Sequence, residues 1–179
     1  PGPHVARRSL PVGPLVAAVT RSTEVVEFLR HQPDELLAVM RALADARDGW
    51  VNLQAVVDED ETPDAEPARA GLFALVSGRG PAVPVSTWVP GERTRRGLEP
   101  DSVGIQHGAG PKARFRLRDA GVTAPEGSNL LGDHPKRGLV LALPAGTEPE
   151  AVLDFVLAAS DVLAAFPLPE TWVAIVHRR

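Results

Sequence analysis

The chain has 179 residues, of which 44% are hydrophobic and 23% charged, with a net charge of -4 and no cysteine. This is enough apolar material for a core of ordinary domain size, and it excludes wholesale disorder, disulfides, thiolate metal sites and a cysteine nucleophile. The acidic balance speaks against a dedicated nucleic-acid binder, and no apolar run approaches the roughly 20 residues needed to span a bilayer.

A cysteine-free chain fits a reducing compartment, and a cytoplasmic location is expected. Ala, Arg, Val, Pro and Gly are plentiful, Lys is scarce and Tyr absent. That bias is typical of genomes rich in G and C, of the actinobacterial kind.

Residues 1–21 read as an irregular lead-in. Within them, Pro11 and Pro14 break the apolar run between Arg7 and Arg21, so the segment does not read as a leader peptide. Residues 22–179 read as a single α+β domain. Ser22 is placed to cap a first helix carrying Val25, Val26, Phe28 and Leu29. Pro33 opens a second helix with Leu36, Leu37, Met40 and Leu43 at helical spacing, and Gly49 is expected to end it. Trp50–Val57 alternates as a half-buried strand.

An acidic connection over 58–70 follows, without the spacing of a calcium loop. Leu72–Val76 reads as a central strand. Val83–Val89 alternates but contains Pro84, which predicts a sheet edge. Ser102–His107 is a further strand. Asn129–Leu131 and Gly138–Leu143 form a hairpin around DHPKR. Thr147 and Glu150 have capping-box spacing at the start of a long helix whose apolar face runs to Phe166. Trp172–His177 closes the chain as a strand. The expected fold is therefore α+β: a mainly antiparallel or mixed sheet, a long C-terminal helix packed on one face, and an N-terminal helix pair.

One stretch carries most of the functional interest. In KARFRLR, Lys112, Arg114, Arg116 and Arg118 occupy alternate positions, and from Arg93 to Arg118 there are seven cations against two carboxylates. Alternation suggests a strand. Pro111 at the start, Gly121 at the end and the shared face of Ala113, Leu117 and Ala120 suggest a helix, with Val122 folding back on its last turn. The helix reading is preferred, because its terminal signals have a mechanism. Strand, glycine turn and helix would then aim backbone amides at an anion. Gly108, Gly110, Lys112 and Arg114 are the candidates, with Arg93, Arg95 and Arg96 from the preceding loop. The spacing is neither a Walker loop nor a dinucleotide fingerprint.

No pair of histidines has metal-ligand spacing, so no metal or cofactor is predicted. His107, beside the glycine turn, is the best candidate acid or base, with Asp133 or Asp119 to orient it. No catalytic signature assigns a reaction. The expected function is a binding or interaction domain that takes a protein partner or a second copy. The alternatives are an enzyme or sensor holding a phosphorylated small molecule at the turn, and nucleic-acid binding through residues 93–118. A membrane role is not expected.

Overall fold

A computed structural model describes residues 22–57, 80–135 and 137–179. The lead-in, the acidic connection and the Leu72–Val76 strand lie outside these residues, as does Lys136 in the DHPKR turn.

The first described element corrects the first expected helix. Ser22–Leu29 is a strand, β1, with Val26 and Phe28 buried and Val25 and Glu27 outward. Its Thr-Glu-Val-Val-Glu-Phe run is rich in residues that suit a pleated surface, and pairing with the last strand of the chain decides the matter. Among the described residues there is thus no N-terminal helix pair. Helix α1, Asp34–Ala46, follows as expected, burying Leu36, Leu37, Met40 and Leu43. Each such side chain contributes about 1.5–3 kcal/mol on leaving water. Gly49 does not end this helix. Arg47 does, in the left-handed conformation (φ 56°), its N–H donating to the Leu43 carbonyl at 2.7 Å. Gly49 instead opens β2, Gly49–Ala55.

Strand β3, Val85–Val89, corrects the edge assignment, since it lies between β2 and β6. Pro84 stands just before the strand, so no ladder donor is lost. Arg93–Thr94 (β4) and Gly97–Leu98 (β5) form a small exposed hairpin. β6, Asp101–Gln106, leads to α2, Ala113–Asp119, so KARFRLR is helical. β7, Asn129–His134, and β8, Gly138–Leu143, form the expected hairpin.

Helix α3, Pro149–Leu163, has 15 residues and is shorter than its sequence pattern suggests. The capping box does not form either. Glu148 is the N-cap, and the Thr147 hydroxyl donates to the Pro144 carbonyl at 2.8 Å. β9, Thr171–Arg178, ends the chain.

The seven-stranded sheet runs β1-β9-β2-β3-β6-β8-β7, and all its described neighbours pair antiparallel. The C-terminal strand thus inserts between β1 and β2. The three helices among the described residues pack on one face, over a core that includes Trp88, Trp172, Ile105 and Leu141. Among the described residues, no helix is long and apolar enough to cross a membrane.

Candidate functional site

The cations of KARFRLR project from a two-turn helix because Ala113 and Leu117, four apart, turn inward. Its C-terminus is a Schellman motif: Val122 N–H donates to the Leu117 carbonyl at 2.8 Å and Gly121 N–H to that of Arg118 at 3.0 Å. Gly121 takes the left-handed conformation (φ 74°) this requires. At the other end Pro111 lies outside the helix, and Lys112 is the N-cap, itself left-handed (φ 66°).

The helix start already holds an anion, one the protein supplies. The Ala113 and Arg114 amides donate to the two carboxylate oxygens of Asp133 on β7, at 3.1 and 3.2 Å. Sequence reasoning named Asp133 only as a partner for His107. The capping role depends on the β7–β8 hairpin lying beside α2, and no local signal carries it.

The predicted cations do not gather at one point. Arg93, Arg95 and Arg96 lie in the hairpin before β6, while Gly108, Gly110 and Lys112 follow it. A six-residue strand of about 17–20 Å separates the two groups. Asp119 pairs with Arg118 at the surface, at 2.7 Å.

His107 is 1% exposed, and neither ring nitrogen has a hydrogen-bond partner among the described residues. Burial pushes its pKa below the ordinary histidine value; Asp133 opposes that shift and Arg116 adds to it. The unfolded ring titrates near pH 6.5. Below that pH the unfolded chain takes up a proton that the folded ring still refuses, so stability falls as pH drops until the folded ring also titrates. Denaturant melts at roughly pH 5 and 7.5 should show this, and His107→Leu should flatten that part of the profile. An unchanged profile in the variant would remove His107 as the cause.

Two clefts flank α2. One, of about 490 Å³, is lined by Gly80, Ala82, Gly108, Ala109, Arg116 and the end of α3. Arg116 was not singled out as a site residue by sequence, because nothing local distinguishes it from its neighbours. The other, of about 210 Å³, is walled by Leu117, Val122, Leu130, Leu139, Leu141 and Phe155, with Arg114 and Arg118 also lining it. The two guanidinium groups flank the half-exposed Phe115 ring, at 4.6 and 5.1 Å from its centroid.

The sheet face opposite the helices has a different character. Val173, Ile175, Val85, Val89 and Val140 share it with Trp50, Asn52, Thr87, Ser102 and Gly104. No position on this face of β9, β2, β3, β6 or β8 is Asp, Glu, Lys or Arg. Its polar centre is bonded internally: the Thr87 hydroxyl donates to Asn52 Oδ1 at 2.8 Å, and Asn52 Nδ2 lies 3.2 Å from His177 Nε2. The Trp50 ring stacks on His177 at 4.7 Å.

Among the described residues, no three His, Asp or Glu side chains gather as a metal ion would need. Compared with family models, with curated proteins and with solved structures, the chain gives no match.

Proposed function

We propose that this chain is a non-catalytic interaction domain that pairs with a second copy of itself through the face of its sheet turned away from the helices. The supporting observation is the missing charge. In a chain that is 23% charged, the inner strands present no formal charge on the side turned away from the helices. Depletion of charge at the centre of a patch distinguishes interface cores from ordinary surface, whereas a solvated antiparallel face normally carries polar and charged side chains.

A second copy suits this face. It brings the same neutral chemistry and leaves no buried charge unpaired. The five uncharged strands, about 4.8 Å apart and roughly 17–27 Å long, give a footprint of about 300–500 Å², which the flanking β1 and β7 would extend as a rim. A standard interface takes about 800 Å² from each partner. Two such faces would stack about 10 Å apart, as in a β-sandwich.

Sedimentation equilibrium tests this. The 19.0 kDa chain should sediment at twice its mass at micromolar concentration. Ile175→Lys, in the middle of the face, should return it to monomer with its circular dichroism unchanged. A wild-type protein that stays monomeric, or a dimer indifferent to Ile175→Lys and Val173→Lys, would sink the reading. Turnover of any metabolite by the purified chain would count against its non-catalytic part.

A further inference from the structure

We infer that the smaller cleft beside α2 is a binding site for an amphiphilic monocarboxylate, with the carboxylate at Arg114 and Arg118 and the hydrocarbon against the apolar wall. The cleft opens on the helix-covered side of the sheet, opposite the face assigned to self-association, and its occupancy does not depend on that assignment.

Charge complementarity selects the head group. Arg118 is neutralised by its bond to Asp119 at 2.7 Å, while Arg114 has no carboxylate partner among the described residues. Two guanidinium groups and one carboxylate leave a single uncompensated positive charge, which matches a monoanion. A phosphate dianion would call for more donors, and the amides at the start of α2, those of Ala113 and Arg114, are already held by Asp133. The guanidinium fork suits a planar carboxylate. Stacking on Phe115 holds both groups beside the cleft.

The wall selects the tail. Leu117, Val122, Leu130, Leu139, Leu141 and Phe155 line it from three sides: α2 with the turn that follows it, the β7–β8 hairpin, and α3. An engineered cavity of about 150 Å³ with a similar Leu, Ile and Phe lining holds benzene. A cleft of about 210 Å³ therefore suits a short alkyl chain or a substituted ring, not a long fatty acid.

Octanoate is the probe, with octanol as the neutral control and acetate as the head group alone. Calorimetric titration of the full chain should give saturable octanoate binding with Kd near or below about 1 mM, as expected for roughly ten heavy atoms. Octanol should bind more weakly, and acetate should give no signal. The exposed double exchange Arg114→Gln with Arg118→Gln should weaken octanoate by about tenfold or more and leave octanol unchanged. Ala124→Phe, which fills the cleft from its rim, should remove both. The inference would be overturned by no octanoate binding, by equal affinity with and without the arginines, or by binding that survives Ala124→Phe. Because Ile175→Lys lies on the other face, repeating the titration on that variant separates this site from the dimer. Octanoate binding lost with self-association would assign the signal to the interface, against the cleft.

Discussion

Replacing Asp101 by alanine should destabilise the fold by about 3–5 kcal/mol, the cost of leaving a buried charge without its partner. In a chain of this size that lowers the melting temperature by roughly 6–20 °C. Asp101 is 1% exposed, and its Oδ1 accepts from the Arg47 guanidinium at 2.7 Å and from the Gly91 amide at 2.8 Å. Arg47, whose side chain is 9% exposed, also donates to the Gly91 carbonyl at 2.9 Å. One carboxylate thus ties the end of α1, the turn after β3 and the start of β6. The exposed Arg118–Asp119 pair is the control, since such pairs are worth about 0–1 kcal/mol. If Asp101→Ala costs no more than Asp119→Ala, the buried pair is not holding these elements. Arg47→Met combined with Asp101→Leu should recover much of the loss, because it buries no unpaired charge.

The second large effect is expected at Gly138. This residue opens β8 with φ 81°, and a Cβ there would fall inside contact distance of the Ile105 carbonyl on β6. Gly138→Ala therefore meets two penalties. The left-handed conformation costs about 1–2 kcal/mol for a residue with a Cβ. Pushing β8 off β6 weakens a ladder bond and strands a buried polar group, at about 1–3 kcal/mol. A total of about 2–5 kcal/mol is expected, read as a fall in the denaturation midpoint with unchanged slope. Gly104 is the counterpart on β6. It has an ordinary φ, and a Cβ there would have nothing within 4 Å. Gly104→Ala should be neutral or stabilise slightly, by less than about 1 kcal/mol. Equal effects at the two sites would refute the account.

These two glycines show where local reading stops. Each lies in an apolar stretch that alternates or runs as a strand, and nothing in the adjacent residues separates them. Ile105 lies 33 positions before Gly138 and is its neighbour only once β6 and β8 pair. Asp133 is a similar case. It reads as a turn residue within Asp-His-Pro, and it becomes the cap of α2 because the hairpin returns beside the helix. The error at Ser22–Leu29 has the same origin. Val25, Val26, Phe28 and Leu29 fit a helical stripe as well as a pleat, and the partner that decides between them is the last strand of the chain.

The features legible in the residues alone were local. Helix α1 follows from its apolar spacing, and α2 from the αL glycine and the fold-back of Val122, since those signals act within one or two turns of the chain. The α+β class and the β7–β8 hairpin were legible for the same reason. Long-range packing sets which cations line one cleft, which carboxylate caps a helix, and that the sheet face turned away from the helices carries no charge on its inner strands. These properties depend on pairings between residues up to 156 positions apart, as Ser22 is from Arg178. Strand register is set by burial and partner geometry, which no local window contains.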